Sequence, residues 1–253
     1  MCGRFTLTVN PNEAQLAFSG FTFPKQFAPR YNIAPSQPIL AIPNDRNRAA
    51  NFFLWGLIPS WATDPSKALI NARGETLAEK PSFRGAFKYK RCLIPADGFY
   101  EWKANEKIGR GKTRTDADFS KRAEEIAAEV GVHPRSSASQ LKTPYFIHLK
   151  ERGHFAFAGL WNEWHSPEGD KVKTCTIITT APNELMSALH NRMPVILDPK
   201  DYAEWLDPAP RSPESLARLI RPFPAERMAA YPVSLLVNNP SNDLAECVAP
   251  MQG

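Results

Sequence analysis

HFAFAGLWNEWHSPEGDKVKTCTIITT, residues 154–180, holds two short runs, His154–Leu160 and Lys173–Thr180, rich in Phe, Ile and Thr and broken by Gly and Pro between them. Runs of this length and composition read as strands. Similar runs occur at Arg4–Val9, Asn51–Trp55, Arg91–Pro95, Tyr145–Leu149 and Pro194–Leu197. Helical signals are fewer. Pro11–Phe18 opens on proline, Asn183–Leu189 follows Thr180-Ala181-Pro182, Pro199–Leu206 follows Asp198 as a good N-cap, and Ser212–Ile220 is a fourth. Strand-type and helix-type segments do not alternate, which disfavours a doubly wound parallel sheet. The expected class is α+β, a strongly bent, barrel-like mixed or antiparallel sheet with peripheral helices.

The bulk composition fits one domain over residues 1–253, with 43% hydrophobic residues to build a core and a mean hydropathy of −0.38. A formal charge of +5 permits a polyanionic partner without requiring one. Residues 103–142 stand apart as an inserted polar segment, in which Phe119, Ala123, Ile126, Ala127 and Val130 share one helical face. The four cysteines, Cys2, Cys92, Cys175 and Cys247, form no CxxC pair, so a zinc site is not expected. The N-terminus lacks the apolar run of a signal peptide, and no apolar stretch reaches the roughly 18 residues of a membrane helix. The expectation is a cytoplasmic monomer with free thiols, away from membranes.

MCGRF, residues 1–5, places a thiol directly after the initiator methionine. Removal of Met1 would leave Cys2 with an α-amine and a thiol on adjacent carbons, titrating near about 8 and 8.5. A small buried hydrophobe is the plainer reading of Cys2. Three further stretches look too specific for packing alone: RYNIAPSQ at 30–37 with FLWGLIPSW at 53–61; INARGETLAEKPSFR at 70–84 leading into RCLIPADGFYEW at 91–102; and ITTAPNELMSALHNRMPVIL at 178–197.

Together these stretches, in this order, resemble the SRAP family (SOS response-associated peptidase domain), over Cys2 to about Leu206. The resemblance implies an abasic-site processing protein that crosslinks to single-stranded DNA as part of the response to DNA damage. The chemistry is consistent with that. A ring-opened abasic deoxyribose is an aldehyde, an N-terminal amine forms an imine with it, and the neighbouring thiol can close a five-membered thiazolidine.

The residues matching the family's active site are Cys2, Asn71, Glu101 and His190. Glu101, between Tyr100 and Trp102, is the candidate acid for opening the sugar, with aromatic flanks that raise its pKa. His190 titrates in the range needed to move a proton on or off the imine. Asn71 can orient the α-amine. Plainer roles stay open: an exposed strand carboxylate, a helix-terminal histidine, a turn asparagine. For DNA binding, the resemblance implies Arg4 and Arg73 at phosphates, Pro35 along the strand path and Thr179 near the crosslink. Trp61 and Trp102 offer faces for unpaired bases. Surface ion pairs and core packing are the alternatives. Lys88–Arg91 could extend a basic track or be a solvated face. No metal or organic cofactor is implied. Lyase activity and a self-directed peptidase activity that removes Met1 are further expectations. Two rival functions remain, a thiol autopeptidase with no DNA role and a non-covalent single-stranded DNA binding module.

Overall fold

The computed structural model describes residues 2–104, 142–151 and 153–251. The expected helix within 103–142 lies outside them. The chain divides into two units, one of Met1–Lys103 with Pro144–Gly253 and one of Ala104–Thr143. The first unit carries the barrel and every candidate site residue.

In chain order the elements begin with β1 (Phe5–Leu7), α1 (Pro11–Ala17), β2 (Arg30–Ile33), β3 (Pro38–Pro43), β4 (Asn51–Trp55) and β5 (Asn71–Arg73). The middle comprises α2 (Pro81–Tyr89), β6 (Arg91–Ala96), β7 (Gly98–Lys103), β8 (Thr143–Leu149), β9 (Phe155–His165) and β10 (Lys171–Thr180). The last are α3 (Glu184–Ser187), β11 (Met193–Pro194), β12 (Ile196–Leu197), α4 (Tyr202–Trp205), α5 (Pro213–Ala217) and β13 (Met228–Pro232).

The architecture is α+β around a closed, mixed five-stranded barrel in the order β10-β4-β3-β6-β9, with β9 pairing back onto β10. The β10–β4 ladder is parallel and the other four are antiparallel. Closure removes the free edges an open sheet would expose. β4 leaves β10 after Cys175, and β5 takes over the same edge, pairing Asn71 with Ile177 and Arg73 with Thr179. A second sheet, β13-β8-β7-β1-β2, is antiparallel in its β1–β2, β1–β7 and β8–β13 ladders.

The two sheets meet through aromatic rings. Phe5 lies edge-on to Trp55 at 5.1 Å and to Phe157 at 5.8 Å, and Phe99 meets Phe157 at 6.0 Å. β1 and β7 therefore press directly on the barrel. At Gly159 on β9 a Cβ would sit 2.8 Å from the Cys92 sulfur and 3.0 Å from the Thr176 carbonyl. Only glycine lets β6, β9 and β10 approach so closely. All four cysteines are buried free thiols, and burial pushes Cys92 and Cys175 far up. Such thiols are inert.

Several elements differ from the sequence expectation. Pro194–Leu197 is two short strands. Met193–Pro194 pairs with β10 and Ile196–Leu197 with β9, so the chain crosses between them at Val195. The expected helix 199–206 is a 3-10 turn, Pro199–Asp201, followed by α4, with Asp198 capping the turn through Lys200 N–H. α2 carries little sequence signal, because only Phe83 and Phe87 anchor it and Gly85 sits between them. Arg91 does not extend a basic track. It is fully buried, and its guanidinium donates to the carbonyls of Phe87, Lys88 and Trp205 at 2.8–3.0 Å and to that of Asp207. It thereby satisfies carbonyls that two helix C-termini leave unpaired. Burial lowers its pKa to about 10.

Candidate active site around Cys2

The pairing of β1 with β7 sets the site. Phe5 lies opposite Phe99, and Tyr100 N–H donates to the Arg4 carbonyl at 3.0 Å. Continuing that register brings Glu101 across from Gly3, next to Cys2. Alternation along β7 puts Glu101 on the inward face with Phe99, while Tyr100 and Trp102 face the other way. On that other side Tyr100 and Phe146 form a small second core with Val233 and Val237, against which Trp102 packs. Gly98 makes room for it, since a Cβ there would overlap the Phe146 ring at 2.1 Å.

Cys2 is completely buried, with its sulfur 3.8 Å from the Arg4 carbonyl. Burial, and then the nearby Glu101 charge, push its thiol well above the usual range. Asn71 opens β5 and its Nδ2 donates to the Cys2 carbonyl at 2.9 Å. Its Oδ1 is buried and has no partner among the described residues. Glu101 is 3% exposed, and that burial raises its pKa; the positive charge of His190 acts the other way. Cys2, Asn71, Glu101 and His190 therefore gather at one place from four separate segments.

His190 follows α3, whose N-cap Asn183 accepts from Met186 N–H. Its Nδ1 accepts from Arg192 N–H at 3.0 Å and lies 3.3 Å from the Arg192 carbonyl. Both contacts come from the Arg192 backbone and hold the ring's orientation. Arg192 is a residue the sequence reading did not single out, although it sits in the quoted HNRMP stretch. Its guanidinium clamps Glu75 with two bonds of 2.7 and 2.9 Å and donates to the Thr179 carbonyl at 2.7 Å. That clamp is what chiefly holds the Glu75 carboxyl below its usual range. Thr179 is buried, its hydroxyl 3.5 Å from the Ala72 carbonyl, and Arg73 beside it is exposed.

The remaining candidates lie around this centre. The Arg4 guanidinium is committed to Asn32 Oδ1 at 2.7 Å, the Val237 carbonyl at 2.6 Å and the Asn238 carbonyl at 3.3 Å. Trp102 Nε1 donates to Asn238 Oδ1 at 2.7 Å. The segment that receives them is docked by the RYNIAPSQ stretch. Asn32 Nδ2 donates to the carbonyls of Val237, Asn239 and Asn242, and Asp243 accepts from Tyr31 N–H, Asn32 N–H and Arg30. Residues 237–243 give no sequence signal because their contribution is mostly backbone carbonyls. Pro35 is half-buried at the turn between β2 and β3, beside Ser36 in the left-handed region at φ 65°. Trp61 is 66% exposed on a loop. Among the described residues no group of three or more His, Cys, Asp or Glu could hold a metal ion, and no helix is long and apolar enough to cross a membrane.

A closed mixed barrel thus has Cys2, Asn71, Glu101 and His190 converging beside it. The chain belongs to the SOS response associated peptidase (SRAP) family, whose model matches residues 1–127 and 134–240. The match runs on to residue 240, past the Leu206 at which the sequence resemblance ends. The chain is 44% identical over 253 residues to the abasic site processing protein YoqW of Bacillus subtilis (strain 168), covering 98% of this chain and 99% of that one. It is 34% identical over 246 residues to the abasic site processing protein HMCES of Gallus gallus, covering 90% and 68%. A crystal structure of a protein from Bacteroides thetaiotaomicron shares the fold, with a TM-score of 0.78 at 24% identity over 99% of this chain and all of that one. A phage-related protein from Bordetella bronchiseptica superposes with a TM-score of 0.64 at 26% identity, over 92% and 94%.

Proposed function

We propose that this chain processes abasic sites in single-stranded DNA, and that it does so by a covalent thiazolidine link through Cys2 after Met1 is removed. The observation that carries the reading is the Asn71–Cys2 pair: one amide atom holds the Cys2 carbonyl at 2.9 Å, and the other is a buried acceptor without a partner among the described residues. A freed Cys2 α-amine is the donor that acceptor calls for. The names of the relatives support the substrate.

Water first cleaves the Met1–Cys2 peptide bond and frees the amine, in a self-directed peptidase step. Glu101, whose burial favours its protonated form, donates to the ring oxygen as the abasic sugar opens to its aldehyde. The amine condenses with the aldehyde to an imine and releases water, with His190 carrying protons. The thiol then adds to the imine carbon: the S–C bond forms and the thiol proton passes to nitrogen. The product shields the lesion from strand cleavage. Elimination of the strand from the imine would be a lyase side reaction. Arg73, Thr179, Pro35, Trp61 and Trp102 hold the strand, and Arg4 acts through the segment it docks. The protein works as a cytoplasmic monomer.

The test is a denaturing gel of the protein mixed with a single strand bearing one abasic site. The expected result is a heat-stable band of retarded mobility that is absent with an undamaged strand. No such band from the wild type rejects the reading.

A further inference from the structure

The loop after Gly56 carries Trp61 into solvent, 66% exposed. An indole left in water forgoes the large gain of burying it. Yet the loop is firmly held. Ile58 N–H donates to Thr174 Oγ1 at 3.1 Å, the Ile58 carbonyl accepts from Asn162 Nδ2 at 3.1 Å, and the Ala62 carbonyl accepts from Trp164 Nε1 at 2.7 Å. Three side chains from β9 and β10 thus fix the position of an exposed ring.

Trp61 forms one wall of a cleft of about 320 Å³. The other wall is α2, which contributes Arg84 and Tyr89. Tyr89 is 51% exposed, and the Lys88 ammonium stands 5.1 Å from its ring centre. Lys90 lines the cleft as well, its Nζ donating to Asn162 Oδ1 at 3.0 Å. Among the described residues the charged ones lining it are Arg84 and Lys90, both cationic. The cleft therefore combines two exposed aromatic faces with positive charge, which is how unpaired strands are held without regard to sequence. Its position also fits. Asn162 lies opposite Thr174 on β10, and Asn71 lies opposite Ile177. The two levels stand three residues apart, about 10 Å measured along β10, on its two flanking strands β9 and β5.

We propose that this cleft is a nucleobase-stacking subsite for an unpaired nucleotide flanking the lesion, with the base against Trp61 and Tyr89 and its phosphate against Arg84 and Lys90. The proposal rests on the reading of the chain as a holder of single-stranded DNA. It does not depend on Cys2 chemistry, so it is tested on undamaged strands.

The experiment measures affinity of the full chain for oligothymidylates lengthened one nucleotide at a time. The wild type is expected to gain affinity stepwise as the strand grows long enough to reach the cleft. Tyr89→Ala is expected to lose roughly five- to a hundred-fold on the long strand, the range for one lost base–aromatic stack, and much less on the short one. Tyr89→Phe keeps the ring and should keep the gain. Arg84→Ala should lower the salt slope on the long strand by roughly 0.7. The proposal is overturned if the wild type shows no gain with length, if Tyr89→Ala keeps the gain, if Tyr89→Ala loses equally on short and long strands, or if Tyr89→Phe fails as badly as Tyr89→Ala. Failure of the adduct reaction with an intact length gain would reject the Cys2 reading and leave the cleft standing.

Discussion

Asn71 Nδ2 donates to the carbonyl oxygen of Cys2 across 2.9 Å, and its Oδ1 lies buried with no partner among the described residues. One side chain thus grips the peptide at Cys2 and keeps a vacant acceptor next to it. The parallel pairing of Asn71 with Ile177 sets the grip, so the barrel itself fixes the backbone at Cys2.

Asn71→Ala should slow adduct formation by about tenfold, in line with loss of an oriented hydrogen bond worth roughly 0.5–1.5 kcal/mol. Affinity for an undamaged strand should hold within about twofold. Single-turnover rates at saturating protein, beside equilibrium binding, separate the two. A parallel loss of both would make Asn71 a general structural support.

Glu101 should show its burial in two ways. As the proposed acid for opening the sugar, it acts in its protonated form, so the wild-type rate should fall as pH rises through its raised pKa. Glu101→Gln should be slower by roughly 10²–10⁴-fold and lack that limb. Stability should move oppositely. Between the unfolded pKa of about 4.3 and the higher folded value, the native state holds more protons, so stability falls with rising pH. Glu101→Gln should therefore melt higher than wild type at neutral pH, by about 2–4 °C for each kcal/mol of penalty removed, with no gain below about pH 4. Thermal melts at pH 4 and pH 7 check the sign.

Asn238→Ala removes the acceptor of Trp102 Nε1 and leaves the backbone carbonyl that meets Arg4. Strand affinity should fall by about two- to tenfold, as for one hydrogen bond, and the melting temperature should barely change because Asn238 is exposed. Trp102 fluorescence anisotropy should drop. Unchanged anisotropy would mean that Asn238 does not orient the ring.

The sequence made some of this legible and hid the rest for physical reasons. The long central strands could be read because Phe155–Phe157 and Thr174–Thr180 are dense in strand-forming residues. β5 and β7 could not, since Asn71–Arg73 is three residues long and Gly98–Lys103 mixes glycine with charge. The four candidate site residues came from the family resemblance, not from spacing, and only the fold brings them near one another. Arg4 shows what a motif leaves out. A phosphate-matching arginine spends its guanidinium on Asn32, Val237 and Asn238, through carbonyls that no side-chain pattern announces.

Arg91 carries the same lesson into stability. Arg91→Ala should destabilise the fold by about 3 kcal/mol or more, because several buried carbonyls lose their donor at once. The salt slope of strand binding should stay as in the wild type. Chemical denaturation and a salt titration report the two independently, and a lowered slope would return Arg91 to the basic track.

The central claim, that amine and thiol of Cys2 together bond the lesion, is tested most directly by mass analysis of the purified adduct. The predicted product is a chain lacking Met1, joined to the abasic strand with loss of one water. The N-terminal peptide should carry the sugar, gain no mass on borohydride treatment and leave the Cys2 sulfur closed to alkylation. An adduct on a chain that keeps Met1, one attached at a lysine, or one with an alkylatable Cys2 thiol would contradict the claim.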